Sequence, residues 1–207
     1  METLFLFIIF ATQRYFYRIY NNQTKLMQIK NLINACKKND AKAQMQLYDK
    51  YCKAMYNIAL KYVNKTDIAE DVVQEAFIKV FKKIDTFNAN VTFGAWLKRI
   101  VINQAIDYLK KKKLETISID EHIIQLTNET TDWNLEAKTS VEEIINGINK
   151  LPLKYKLVLQ LFLLEGYDHQ EISEILSISE VASRTQLLRG KNKLKELLNK
   201  NNYAKEY

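Results

Sequence analysis

Hydrophobic residues recur along most of this chain at the three- and four-residue spacing of amphipathic α-helices, and strand-like alternation is hard to find. The first block of this pattern, about residues 27–113, predicts four helices. They begin near Met27, at "DAKAQMQLYDKYCKAMYNIALKYV", at "DIAEDVVQEAFIKVFKKI" and at "FGAWLKRIVINQAIDYLKKKK". Asp40 can cap the second helix, and Asp67 with Glu70 has the spacing of a capping box for the third.

A second helical block is predicted over residues 141–199. Pro152 suits the first turn of a helix, and Gly166 is placed to end that helix. "DHQEISEIL" follows, with Asp168 and Glu171 spaced as a capping box, and then a short turn leads into "EVASRTQLLRGKNKLKELLNK". A short helix, a three-residue turn and a basic helix are typical of a helix-turn-helix. We therefore predict an all-α chain of two small domains, a helical bundle and a helix-turn-helix.

The segment between the blocks, residues 114–140, breaks the helical pattern. It carries six acidic residues against the single Lys138, and it is rich in Thr, Ser and Asn. This composition predicts a flexible acidic linker. Two roles for it stay open, a solubilising spacer or a segment that lies in a positively charged channel in place of nucleic acid.

Residues 1–26 contain the apolar run "LFLFIIFA", which is far shorter than the ~20 residues that span a bilayer. The run also lacks the basic start and the cleavage site of a secretory signal. We expect residues 1–26 to be a leader outside the fold, with the true start at Met27. A membrane-associating leader, a disordered segment and a dispensable extra helix are the alternatives. Residues 200–207 are expected to form a tail.

The charge favours a polyanionic partner, because 31 basic residues outnumber 24 acidic ones and give a net charge of +7. Two cysteines, Cys36 and Cys52, are too few for a disulfide framework, and no metal-ligand spacing surrounds them or the histidines. We expect reduced cysteines, a cytoplasmic protein, no metal, no cofactor and no membrane-spanning segment. Without a phosphate loop or a nucleophile motif, the chain is not expected to be an enzyme.

The last helix offers two distinct faces. The residues expected to pack inward are Leu187, Gly190, Leu194 and Leu197. The residues expected to face outward are Arg184, Thr185, Leu188 and Arg189. Arginine can bridge two acceptors on guanine, and threonine or leucine can contact a thymine methyl group. The alternative is a solvated basic face on an ordinary pair of helices.

The helix "FGAWLKRIVINQAIDYLKKKK" combines charge with groups that suit separated strands. Its candidates for phosphate binding include Lys98, Arg99, Lys110 and Lys111. Phe93 and Trp96 can stack on exposed bases, and Asn103 can pair with the edge of a base that has left the duplex. Trp96 also suits the hydrophobic core, and Asn103 also suits a satisfied polar position on a helix.

These motifs resemble an extracytoplasmic-function (ECF) sigma factor, the small two-domain class of bacterial RNA polymerase specificity subunits. "DIAEDVVQEAFIKVFKKIDTF" with the helix above resembles region 2 of the sigma-70 family, and "LPLKYKLVLQLFLLEGYDHQEISEILSISE" through "SRTQLLRGKNKL" resembles region 4. The resemblance implies that region 2 opens and reads the promoter −10 element and that region 4 reads the −35 element.

The resemblance also assigns roles by position. Asn103 corresponds to a residue that lines the pocket for a flipped −10 base, beside the segment "FNANVT" at residues 87–92. The surface that docks on the clamp helices of the polymerase corresponds to Asp71, Gln74 and Glu75. The −35 recognition positions correspond to Arg184, Thr185, Leu188 and Arg189. The implied partners are core RNA polymerase, promoter DNA and, as for many members, an anti-sigma factor.

Departures from the family pattern lie in the recognition helix. Val181, Ala182 and Ser183 replace the frequent Gly-Thr-Val, and Ser183 takes a position where an apolar residue usually packs. The rotation of this helix therefore stays open, and Gln186 replaces a frequent arginine. Two other functions remain as alternatives, a helix-turn-helix regulator that binds DNA without polymerase and a helical scaffold that binds acidic proteins.

Overall fold

The structure is a computed structural model that describes residue 24 and residues 26–115 and 140–203, and it divides into two compact units on either side of position 116. Every regular element among these residues is helical, as the sequence predicts. The leader expected over 1–26, the linker expected over 114–140 and the end of the tail lie largely outside the described residues.

The first unit contains the four predicted helices. Helix α1 covers residues 26–37, and it is followed by α2 (Ala41–Val63), α3 (Thr66–Lys83) and α4 (Phe93–Glu115). A 3₁₀ turn, Ile84–Thr86, extends α3. Helices α2, α3 and α4 each pack against the other two. Their fully buried side chains include Leu47, Tyr62, Val80, Leu97, Ile102 and Ile106.

The start of α3 differs from the prediction, whereas the start of α2 is confirmed. Asp40 Oδ1 accepts a hydrogen bond from the Ala43 N–H at 3.0 Å, as expected for an N-cap. The capping box predicted at Asp67 is wrong, because α3 begins after Lys65 with no side-chain cap. Asn64 ends α2 in a left-handed conformation with φ 54°, so only Asn64 and Lys65 connect the two helices. Asp67 therefore lies inside the first turn, where its charge favours the helix dipole.

The second unit is built around its last helix. Helix α5 covers Val141–Lys150, α6 covers Leu153–Leu159 and continues as a π-helical turn (Gln160–Leu164), α7 covers His169–Leu176, and α8 covers Glu180–Tyr203. Helix α8 packs against α5, α6 and α7. The predicted capping box of α7 is confirmed, with Asp168 Oδ1 2.8 Å from the Glu171 nitrogen. Helices α7 and α8 form the predicted helix-turn-helix.

The inner face of α8 follows the prediction except at its end. Leu187, Gly190 and Leu194 are buried as expected, but the next buried position is Leu198 rather than Leu197, which is half-buried. A helix with 3.6 residues per turn returns to the same face four residues after Leu194. At Gly190 a Cβ atom would lie 3.1 Å from a methyl group of Leu159, so this glycine lets α8 cross α6 closely.

Candidate nucleic-acid and polymerase interfaces

Helix α3 presents one continuous exposed face to solvent. Asp71, Gln74 and Glu75 all lie on it, whereas the opposite face is buried against α2 and α4. Ile78 continues this face one turn later and is 54% exposed. Sequence reasoning did not single out Ile78, although its spacing of three from Glu75 places it on the same face.

The side chain of Gln104 connects this face to α4. Gln104 is 8% exposed, its Nε2 donates to Glu75 Oε2, and its Oε1 accepts from Lys79 Nζ. A groove of about 490 Å³ runs beside this contact, with Asp71 and Tyr108 in its walls. The Glu75 carboxylate is therefore oriented by a buried amide on another helix. Gln104 was not predicted from the sequence, although a polar residue at an inward-facing position of α4 could have indicated it.

The candidate −10 residues on α4 do not all lie together. Successive residues of an α-helix are turned about 100° around its axis. On this count four candidates form one row, within about 60° around the axis of α4: Trp96, Arg99, Asn103 and Lys110. Lys98 and Lys111 lie on opposite sides of this row. The row residues are half-buried, whereas Lys111 is exposed. The row thus combines one aromatic ring, one amide and two cations on one helix face.

Trp96 belongs to an aromatic cluster at the start of α4. Its ring centroid lies 5.3 Å from that of Phe87 and 5.7 Å from that of Phe93. Trp96 stays half-buried, so it combines core packing with some exposed surface. Phe93 is 3% exposed, and this burial contradicts the expectation that its ring is available to stack on bases.

Asn103 contains an unsatisfied acceptor. The residue is half-buried, and its Oδ1 is buried without a hydrogen-bond partner among the described residues. The alternative of a fully satisfied helix polar group is therefore contradicted at this atom. A buried carbonyl oxygen without a donor destabilises a fold by about 1–3 kcal/mol. A binding partner that carries a hydrogen-bond donor would satisfy this acceptor.

The segment 87–92 is a tight, strained loop beside the aromatic cluster. Ala89 adopts a left-handed conformation with φ 60°, which is unfavourable for a residue with a Cβ atom. The Asn88 side chain accepts from the Asn90 N–H at 3.2 Å and stabilises this turn. A groove of about 690 Å³ separates the loop from α1, where Ile29 and Ile33 line it. Strained loops of this kind often accompany binding sites.

The recognition helix α8 exposes the four predicted residues to different degrees. The side chain of Arg184 is 64% exposed and lies 3.5 Å from Glu180 Oε2. Thr185, Leu188 and Arg189 are half-buried, and the Thr185 hydroxyl donates to the Val181 carbonyl at 2.8 Å. An exposed ion pair contributes little stability, so a nucleic acid can compete for the Arg184 guanidinium. None of the four side chains is turned into the interior.

The burial of Ser183 shows how α8 is rotated about its own axis. Ser183 is 0% exposed, and its hydroxyl lies 2.9 Å from His169 Nδ1 at the start of α7. The imidazole of His169 stacks on Phe162, with ring centroids 5.0 Å apart. Sequence reasoning noted that Ser183 replaces an apolar residue, but it did not identify His169 as the partner.

Within the part of the chain that the structure describes, no group of three or more His, Cys, Asp or Glu residues could hold a metal ion. Over the same residues, no helix is long and apolar enough to cross a membrane. Cys36 is buried and Cys52 half-buried, and both are free thiols. Burial, and secondarily Asp40, raise the pKa of the Cys36 thiol and make it less reactive.

Comparison with known proteins identifies both units. Residues 47–115 match the family model for Sigma-70 region 2, and residues 142–194 match that for Sigma-70 region 4. The chain is 33% identical to the ECF RNA polymerase sigma factor SigW of Bacillus subtilis, over 83% of this chain and 97% of SigW. It is 27% identical to SigM of the same organism, over 75% of this chain and 94% of SigM.

A solved structure agrees with the fold. The sigma factor RpoE of Bartonella quintana, solved in complex with the anti-sigma factor NepR, is 21% identical with a TM-score of 0.50 over 75% of this chain and 96% of that one. The match to region 2 over residues 47–115 disfavours the alternative in which the first block is a sensor domain of a one-domain regulator. With both sigma regions in order and a relative matched almost end to end, the chain belongs to the ECF RNA polymerase sigma factors of the sigma-70 family.

Proposed function

We propose that this ECF sigma factor binds core RNA polymerase, reads the −35 element with α8, reads the −10 element with α4 and promotes strand opening. The observation that carries the proposal is that the candidate residues of α3, of the row on α4 and of α8 are exposed or half-buried rather than turned into the two cores. The protein acts in the cytoplasm by binding alone, and its own residues do no covalent chemistry. An anti-sigma factor that covers the exposed face of α3 would keep it inactive.

The free energy needed to open the DNA strands gives polymerase binding a central role. Each base-pair step that is opened loses about 1.4 kcal/mol of stacking. One captured base cannot offset a bubble of several steps, so contacts with polymerase must supply the remainder. The face of α3 suits this role because Asp71 and Glu75 are exposed carboxylates and Ile78 is an exposed apolar neighbour.

The α4 row suits a separated strand rather than intact duplex. Arg99 and Lys110, which lie three turns apart on α4, can contact separated phosphates of one strand, and the exposed part of Trp96 can support a base. Asn103 lies between them and has an acceptor without a donor. An exocyclic amino group of an extruded base would supply that donor. The loop at 87–92, whose Phe87 packs against Trp96, is proposed to contribute to the base site from the start of α4.

Transcription with purified components tests the proposal. Promoters are selected from a library randomised at −35 and −10 by run-off transcription with core enzyme and this protein. We expect promoter-specific transcript only when both proteins are present, and weak promoter binding by the chain alone in gel shifts. Tight specific binding without polymerase would support the regulator instead, and an absence of specific transcript would contradict the proposal.

Asp71→Arg is expected to weaken binding to core RNA polymerase by about tenfold or more, which is ~1.4 kcal/mol, because it reverses a charge on the docking face. The exposed position predicts little change in thermal unfolding. Fluorescence anisotropy of labelled protein with core enzyme measures the affinity. Asp49→Arg makes the same charge change on α2 and should leave the affinity unaltered. Equal losses in the two variants would show that net charge, rather than the α3 face, determines binding.

Asn103→Ala is expected to lower base preference at one −10 position by about fivefold while −35 dependence stays intact. The free energy of unfolding should change by less than ~1 kcal/mol, because removing an unsatisfied acceptor offsets the lost packing. Transcription from single-base −10 variants and thermal unfolding provide the two measurements. Asn103→Asp keeps the shape but removes the amide donor, and it separates donor from acceptor effects. Unchanged −10 preference in both variants would remove Asn103 from the base site.

A further inference from the structure

A polar contact lies inside the helix-turn-helix at the point where its two helices meet. Ser183 is fully buried, and its hydroxyl is 2.9 Å from His169 Nδ1. Ser183 directly precedes Arg184 and lies one turn before Leu187, so it belongs to the inner face of α8. His169 is the first residue of α7. The contact therefore ties the recognition helix to the helix that supports it.

The imidazole of His169 is fixed from two directions. On one side it stacks on Phe162, with an interplanar angle of 26° and ring centroids 5.0 Å apart. At the backbone, the capping box between Asp168 and Glu171 anchors the first turn of α7, with bonds of 2.8 and 3.1 Å. Nδ1 is thus held in one direction, toward Ser183.

A hydrogen bond restrains α8 in a way that an apolar contact does not. Close packing of apolar side chains also restrains the helix, but a hydrogen bond adds a directional restraint, because rotation leaves a buried hydroxyl without its partner. Rotation of α8 about its own axis changes where Arg184 and Arg189 point. A restraint at Ser183 therefore acts directly on the residues that face outward.

We infer that His169 is a positioning residue for −35 recognition, which fixes the rotation of α8 through its hydrogen bond to Ser183. This inference rests on the proposed function, because it concerns how α8 reads DNA. It assigns a role to a residue on the supporting helix α7, and it accounts for serine at a position that is usually apolar in the family.

The charges around His169 favour its neutral form. Burial is the main cause that lowers the pKa of His169, and Arg184 and Lys191 on α8 lower it further. Asp168 and Glu180 oppose this shift. Because the unfolded chain binds this proton more readily, the neutral ring stabilises the fold fully above the ordinary pKa of 6.5. That contribution is lost as the pH falls from 6.5 through the lowered pKa of His169, at which a new positive charge develops beside Arg184.

Three variants distinguish the effect of the hydrogen bond from the effect of ring stacking. His169→Phe keeps the stacking on Phe162 and removes Nδ1, Ser183→Ala removes the hydroxyl, and His169→Asn keeps a polar group near Nδ1 without the stacking ring. The measurement is the ratio of transcripts from a selected promoter and from its −35 mutant, with core polymerase, at a temperature where circular dichroism shows every variant folded. A promoter that initiates without a −35 element reports any general loss of activity.

His169→Phe and Ser183→Ala are each expected to lower the −35 ratio about fivefold, and the double variant no further, whereas His169→Asn retains most of it. As the pH is lowered from 7.5 through the lowered pKa of His169, the ratio should fall for the wild type and stay flat for His169→Phe. Unchanged ratios in both single variants, or equal losses on the −35-independent promoter, would overturn the inference while the proposed function stands. A wild type without −35 dependence would overturn both.

Discussion

Arg184→Ala and Arg189→Ala are each expected to lower discrimination between the selected −35 element and its single-base variants by about 1–3 kcal/mol. That range corresponds to roughly 5- to 150-fold at 1.4 kcal/mol per tenfold. The physical reason is that a guanidinium can bridge two acceptors on guanine, and alanine leaves those acceptors without a partner. Arg184 is 64% exposed, and its ion pair with Glu180 is exposed as well, so little is lost inside the protein when it is truncated.

Two controls give this prediction its specificity. Glu180→Gln removes the ion-pair partner of Arg184 and should leave discrimination unchanged or slightly improved, because the guanidinium is then less engaged. Lys193→Ala, at an exposed position on the same helix, should weaken binding to all sequences alike and reduce the salt dependence by about one ion. A uniform loss across sequences in the two arginine variants as well would reassign Arg184 and Arg189 to phosphate contacts.

The faces of α8 could be predicted from the sequence because helical periodicity is a local property. The outward set at Arg184 and Arg189 and the inward set at Leu187 and Leu194 follow from 3.6 residues per turn alone. The prediction was wrong at Leu197, because both Leu197 and Leu198 lie about one turn after Leu194, and packing buries Leu198.

Specific contacts between helices could not be predicted from the sequence. Gln104 orients Glu75 from another helix, and His169 pairs with Ser183 across 14 residues of sequence. Neither pairing has a local pattern, because each depends on where a second helix lies. The start of α3 was missed for a related reason, since the left-handed Asn64 determined it rather than the side-chain spacing at Asp67.

Leu194→Ala is expected to lower the free energy of unfolding of the second unit by about 2–5 kcal/mol. Leu194 is 0% exposed, and its Cδ1 lies 2.5 Å from the position of a Cβ atom built on Gly147, so α5 packs directly on this side chain. Alanine would leave a cavity between α5 and α8 that neither helix can fill. Hydrogen exchange monitored by mass spectrometry on the full chain measures each unit separately.

The consequence for function follows from the division of the chain into two compact units. Leu194→Ala should remove −35-dependent transcription while binding to core polymerase through α3 persists, because the first unit keeps its own buried core. Leu197→Ala removes the same atoms from a half-buried position and should cost less than ~1 kcal/mol. Equal destabilisation by the two variants would contradict the buried stripe on α8, and faster exchange in α3 or α4 would show that the two units do not unfold independently.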